Sequence, residues 1–443
     1  MILKPQSSTI CDTLLHMGNR ERNPKHHPLD SGAVVQLITG IKEQSPALQI
    51  SYGTDRTIDM DRLKDAVKKA LGLFCVFHVK LELSPEDRKP VYVDNNADVD
   101  VYPFDGKQHS FGKESNGYLF RVYYRENTVI LSLHHALTDI FGANEFLKCI
   151  LSFYFDVGYE PAVDGDDFRD PYSMYGSTGF TDFSMKFKWH NELIIPNGMK
   201  YRKGEPITVH ELVFPISGFL KIAKRAESSV FPLLAWLMSN AVTRTYNGED
   251  RLVTGAGSSN CRRLFGSRTP RNFSQTFLTV LNPDERKMDL DSQLTVQRVR
   301  MDMELEEGTV NNSLALRRNV AGMMAADPEK YILDQETLDA ERHMAASKST
   351  YFISYPGHID PGAGLEKHIR DIRILGTVTR VPIVAYAYEW QGLLHIMTQE
   401  IGCRNSIAPA LMEIAGELGI NGEMADTFLN ILDDFPLQEL YHD

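Results

Sequence analysis

The run Thr128-Val-Ile-Leu-Ser-Leu133 passes directly into His134-His135-Ala-Leu-Thr-Asp139 and then into Ile140 to Phe155, so a strand, a loop and a helix must follow one another without a spacer. The first segment is rich in β-branched and aliphatic residues and reads as a buried strand. The last carries apolar residues at Ile140, Phe141, Phe146, Leu147, Ile150 and Leu151, a helix-spaced pattern. Both histidines therefore fall where a strand gives way to a loop, a common position for catalytic groups on a rigid scaffold. Neighbouring side chains on an extended chain point to opposite faces. One ring can face a cleft while the other packs inward, which argues against both holding one metal ion. No Cys or carboxylate cluster at zinc-ligand spacing lies nearby, and no metal is expected. The segment predicts one working base, because imidazole titrates near neutral pH. The competing reading is an ordinary core histidine beside a helix-capping Asp.

From these residues outward the chain resembles the chloramphenicol acetyltransferase superfamily. Leu119-Phe-Arg-Val122, Leu131 to Asp139 and Gly142-Ala-Asn-Glu-Phe-Leu-Lys148 carry the likeness. It continues through Pro28-Leu-Asp-Ser-Gly-Ala-Val34, Asn260-Cys-Arg-Arg263, Arg271-Asn-Phe273 and Ser354-Tyr-Pro-Gly357, in the family's order, from about Pro28 to Ile420. The branch it is most similar to is the stand-alone bacterial alcohol acetyltransferase-like proteins. The superfamily also includes the condensation domains of peptide synthetases.

The resemblance implies direct acyl transfer with no acyl-enzyme. His135 would act as general base on an alcohol or amine while that acceptor attacks a thioester of coenzyme A or of carrier-bound phosphopantetheine. His134 and Asp139 would support the motif, with Asp139 tied to a basic group or capping the next helix rather than completing a triad. Asn272 and Ser354 are the candidates for oxyanion or substrate-channel contacts. Arg262, Arg263, Arg268 and Arg271 fall within ten residues and are candidates for the phosphates of coenzyme A, since guanidinium suits phosphate geometry. Lys200-Tyr-Arg-Lys203 is a second, smaller basic run. The expected partners are a small-molecule acceptor and an acyl thioester, with an acyl or peptidyl carrier protein as the alternative donor and no permanently bound cofactor. A carrier-dependent condensation enzyme and a non-catalytic binding member of the same fold are the alternative functions.

Two positions depart from the family. Ile140 follows Asp139 where Gly is usual, with Gly arriving at 142; the expectation is a reshaped loop or an isoleucine lining a narrowed tunnel. The stretch Cys75-Val-Phe-His-Val-Lys80 lacks the Arg of the condensation-domain pattern, so the sequence does not identify a partner for Asp139.

Composition bounds the rest. The 443 residues are 42% hydrophobic and 24% charged, enough for one large core or two linked ones. No apolar run is long enough to span a membrane. The N-terminus lacks a secretory apolar core, and five scattered cysteines read as reduced thiols, so a cytoplasmic protein is expected. A net charge of −12 speaks against nucleic acid as a partner. Gly255-Ala-Gly257 has no third glycine at dinucleotide spacing, His210-Glu211 lacks a second zinc-protease histidine, and no Gly-x-Ser-x-Gly elbow exists.

Periodicity predicts a first subdomain over 1–175, a Gly-, Pro- and Ser-rich crossover over 176–205, and a second subdomain over 206–443. Helices are expected at Asp59–Leu71, after Ser229, over about 291–306 and over 407–418, with strands at 207–214, 251–254, within 372–388 and at 393–398. The expected fold is α/β (α+β) with mixed sheets and helices. The resemblance sharpens this to two chloramphenicol acetyltransferase-like subdomains in a V-shaped pseudo-dimer with an active-site tunnel at the junction.

Overall fold

The structure is a computed structural model that describes residues 25–39, 47–176, 192–193, 195, 206–333, 349–376 and 381–432. In chain order the first half contains β1 (His26–His27), α1 (Ser31–Thr39), β2 (Ala47–Thr54), α2 (Met60–Leu71), β3 (Val79–Leu83), β4 (Pro90–Asp94), β5 (Val101–Pro103), β6 (Phe120–Arg125), β7 (Thr128–His134), α3 (Ile140–Phe155) and α4 (Pro171–Tyr175). The second contains β8 (Ile207–Pro215), α5 (Ile216–Arg225), α6 (Val230–Thr245), β9 (Val253–Asn260), α7 (Arg262–Phe265), β10 (Ser274–Leu281), α8 (Leu290–Glu304), α9 (Glu307–Ala326) and α10 (Pro328–Leu333). It closes with β11 (Tyr351–His358), β12 (Ile369–Leu375), β13 (Ile383–Trp390), β14 (Leu393–Glu400), α11 (Ala408–Glu417) and β15 (Glu423–Asn430).

The expected mixed α/β architecture is present. β1, β4 and β3 form a small sheet; β12-β2-β7-β6-β5 form a second; β10-β9-β11-β13-β14-β8-β15 form a third, larger one. β7 lies between β2 and β6 and is buried from Val129 to His134. A continuous apolar run at that position reads as a central strand covered on both faces.

The two halves interlock. β12 comes from the second half, yet it pairs antiparallel with β2 of the first, placing Ile372 opposite Tyr52. A division of the chain at 206 therefore does not separate the sheets. One core joins α1, α2, α3 and the central sheet to Val384, Tyr386 and Met397 of the large sheet, and a second core packs α5, α6 and α11 on that sheet's other face.

Local chemistry explains the helix starts. Asp59 accepts from the Arg62 N–H at 2.9 Å and caps α2, and Asp139 caps α3 by accepting from the Gly142 N–H at 3.2 Å. Gly142 cannot be larger: an added Cβ would lie 2.1 Å from Thr138 Oγ1 and 2.2 Å from the Pro270 carbonyl oxygen. Ile140, in contrast, is the first residue of α3 and packs into the core with no left-handed backbone, so it does not strain the loop. Glycine is needed where the helix passes under Pro270, not directly after the Asp.

Cys149, Cys261 and Cys403 are free, as expected, but Cys75 is disulfide-bonded, so not all five cysteines are reduced thiols. Among the described residues no helix is long and apolar enough to cross a membrane.

Ile372 is fully buried in the shared core, and Ile372→Ala should cost about 2–5 kcal/mol. Because β12 couples the sheets, urea unfolding followed by tryptophan fluorescence and by circular dichroism should shift together. A shift in only one signal would show that the halves unfold separately.

Candidate active site

The loop after β7 holds its two imidazoles in opposite tautomers. His134 Nδ1 accepts from the Ala136 N–H at 3.0 Å, so its proton sits on Nε2. His135 Nδ1 lies 2.8 Å from the Thr138 carbonyl oxygen. A carbonyl can only accept, so this nitrogen carries the proton and leaves the lone pair on Nε2. His134 is 1% exposed, whereas His135 keeps partial solvent access. Burial lowers the proton affinity of both rings, taking His134 down to about 3. Asp139 opposes that shift at His135, and the positive charge of Arg317 reinforces it. The loop thus presents one neutral imidazole with a free lone pair.

Asp139, expected to meet a basic group or cap the next helix, pairs with Arg262. The pair is bidentate, with Nη1 donating to Oδ2 at 2.8 Å and Nη2 to Oδ1 at 3.0 Å. The Phe273 N–H adds a bond to Oδ2 at 3.0 Å. Burial alone would raise the Asp139 pKa, but Arg262 and the backbone donors hold it below the usual carboxylate range. Arg262 also donates Nε to the Thr269 carbonyl at 2.8 Å, Nη1 to Asn260 Oδ1 at 3.1 Å and Nη2 to the Arg271 carbonyl. All five of its N–H groups are engaged, and none remains for a phosphate.

The arginine cluster expected to bind phosphate is consequently dispersed. Arg271 has no solvent exposure and pairs with the equally buried Asp30, Nε donating at 2.6 Å, with its guanidinium 4.8 Å from the Tyr92 ring centre. Arg268 is exposed and bonds Asp164 at 2.9 Å. Arg263 is exposed on α7. Only these last two keep the access that coenzyme A phosphates require. The second basic run, Lys200 to Lys203, lies outside the described residues.

Asn272 is placed against the histidine loop but in a different role from the one expected. Its Nδ2 donates to the His135 carbonyl at 2.6 Å and to the Ala136 carbonyl at 3.3 Å. Both amide hydrogens are committed to holding the loop, so Asn272 is a positioning residue rather than an oxyanion donor. Ser354 lies on β11 of the large sheet, with the Ser258 hydroxyl 3.4 Å from its own. No hydrogen bond joins it to the loop among the described residues.

Three residues near the base were not singled out from sequence. Thr138 donates its hydroxyl to the Pro270 carbonyl at 2.5 Å and supplies the carbonyl that sets the His135 tautomer. Tyr172 exchanges bonds with Ser274, donating to its carbonyl at 2.9 Å, and packs edge-on against Phe273. Arg317 of α9 lies over Tyr172, 5.5 Å from the ring centre. A capping Asp30 in Pro28-Leu-Asp-Ser was a usable signal for the Arg271 contact; nothing local pointed to Arg317. No group of three His, Cys, Asp or Glu residues suited to a metal occurs among the described residues.

No known family profile matches the chain, and no curated protein matches it in sequence. Solved structures do. TRI101 of F. graminearum, solved with coenzyme A and T-2 mycotoxin, superposes with a TM-score of 0.59 at 10% identity, covering 90% of this chain and 99% of that one. Polyketide synthase associated protein 5 of Mycobacterium tuberculosis gives 0.59 at 13% identity over 89% and 98%. The nonribosomal peptide synthetase FmoA3 gives 0.64 at 12% identity over 91% of this chain and 43% of that one. The chain has the chloramphenicol acetyltransferase-like fold.

Two outcomes follow from the geometry. Arg262→Met strands a buried carboxylate and should cost about 3–5 kcal/mol in urea unfolding, with Asp139→Leu restoring part of it in the double variant. Unfolded imidazoles take up protons near pH 6.5 while both folded rings resist them. The unfolded state then binds more protons, so stability should fall as pH drops below about 6.5 toward the folded pKa values. His134→Asn should flatten that slope; an unchanged slope would contradict the neutral buried ring.

Proposed function

We propose that this chain transfers an acyl group from a coenzyme A thioester to an alcohol or amine, with His135 Nε2 as general base. The observation that carries this reading is the bond from His135 Nδ1 to the Thr138 carbonyl, which leaves Nε2 as the lone-pair nitrogen on a partly accessible, neutral ring. As the acceptor oxygen or nitrogen attacks the thioester carbon, its proton passes to Nε2. The tetrahedral intermediate collapses by breaking the carbon–sulfur bond, and the leaving thiolate takes the proton back. His134 fixes the loop from the buried side, Asp139 and Arg262 hold its exit, and Asn272 holds the carbonyls beneath the ring. Ser354 remains a candidate for contact with the oxyanion, while Arg263 and Arg268 remain candidates for the donor phosphates. The fold likeness to TRI101 solved with coenzyme A supports a thioester donor.

The likeness to a peptide synthetase chain favours a second reading, in which the pantetheine arm is delivered by a carrier protein. The two differ in whether free thioesters react.

Thiol release from acetyl- and longer acyl-coenzyme A, measured with a panel of alcohols and amines, tests both. His135→Ala should lower transfer about 100- to 10,000-fold while leaving the fold intact by circular dichroism. Full activity in that variant would remove the base assignment. Reaction only with carrier-loaded acyl groups would replace the first reading by the second.

A further inference from the structure

Arg317 differs from the paired arginines around the site and from Arg263, which is exposed to solvent on α7. Arg262 meets Asp139, Arg271 meets Asp30, Arg268 meets Asp164, Arg121 meets Glu114 and Arg300 meets Glu285. Arg317 has no carboxylate partner among the described residues; its recorded contact is the face of Tyr172. It is nevertheless only partly exposed. A cation held partly out of water without a counter-charge is unfavourable. It also works against the base, because it makes the His135 ring harder to protonate.

Its placement is built rather than incidental. Gly176, at the end of α4, lets that helix close on α9, since an added Cβ would lie 3.1 Å from the Ala315 backbone nitrogen. Tyr172 is fixed by Ser274, and Asn272, two residues earlier on the same segment, holds the His135 carbonyl. The wall that positions the base thus also carries the unpaired guanidinium.

We infer that Arg317 binds a carboxylate carried by one of the two reactants close to the reacting atoms, so that the acceptor or the acyl group of this protein is anionic. The inference rests on the acyl-transfer reading and names its substrate class. The phosphates of coenzyme A do not fit this role, because the extended pantetheine arm separates them from the thioester that must meet His135. A bound carboxylate would complete the missing ion pair and cancel the charge that weakens the base. Binding of the correct reactant and activation of the nucleophile would then be coupled.

The test uses paired reactants in the thiol-release assay. With acetyl-coenzyme A, 3-hydroxybutanoate is compared with butane-1,3-diol, and 4-aminobutanoate with 4-aminobutanol. With a neutral acceptor, succinyl- is compared with butyryl-coenzyme A. One arm should show an anionic preference in kcat/KM of about 10- to 100-fold, and which arm shows it tells whether acceptor or acyl group carries the charge. Arg317→Gln should bring that ratio toward one, and Arg317→Lys should retain part of it. No preference in either arm, or an equal loss on both members of each pair in Arg317→Gln, overturns the inference while leaving acyl transfer standing.

Absence of transfer with every pair would instead strike the acyl-transfer reading. The inference is then read by NMR titration of the His135 imidazole, which faces Asp139, His134 and Arg317, with and without 3-hydroxybutanoate. Its midpoint should rise on addition in the wild type, start higher in Arg317→Gln and stay there. An unmoved midpoint in the wild type overturns the proposal.

Discussion

The bidentate pair between Asp139 and Arg262 is the contact on which the site depends. Asp139 belongs to the loop that leaves the central strand of the first half; Arg262 belongs to the short helix after β9 in the second. Around this pair the segment from Arg262 to Phe273 reaches the first half repeatedly: Pro270 to Thr138, Asn272 to the His135 and Ala136 carbonyls, Arg271 to Asp30, and the Phe273 N–H back to Asp139. Each tie is short-range and directional. Together they fix where the His135 ring lies relative to the second half. The small cluster of Tyr172, Cys261, Phe273, Val310 and Leu314 then excludes water from one side of that seam.

The same loop divides labour between adjacent imidazoles by hydrogen bonding alone. An N–H donor at Ala136 forces one tautomer on His134, and a carbonyl at Thr138 forces the other on His135. Alternation along the strand sends the first ring into the core beside Phe111, 6.3 Å between centroids, and leaves the second partly accessible. A single backbone path therefore yields two opposite tautomers from identical side chains. Burial lowers the proton affinity of both rings, and only His135 carries its lone pair on Nε2.

Much of this was legible in the sequence because it is local. The strand, loop and helix from Thr128 to Phe155 follow from periodicity, and the cap at Asp139 follows from residue type. Long-range facts were not legible. The arginines at 262, 263, 268 and 271 look alike in the chain, and spacing cannot tell a guanidinium turned inward to a carboxylate from one facing solvent. The crossing of β12 into the first sheet, the edge strand β15 and the twenty-residue helix α9 were likewise missed. Helix α9 has Leu316 and Met323 exposed among polar residues, so its apolar face is weakly marked. An edge strand with one exposed face, as β15 is, carries little pattern either.

A buried ion pair is a poor source of net stability, since removing two charges from water costs about as much as their attraction returns. Asp139–Arg262 and Asp30–Arg271 are better understood as registration devices. An apolar contact between the halves would tolerate sliding, whereas a bidentate fork tolerates almost none. The proposed general-base step needs the acceptor proton within hydrogen-bond reach of Nε2, and a small displacement of the seam would break that reach. Under this view Arg262 and Arg271 commit their charge inside the protein to hold geometry.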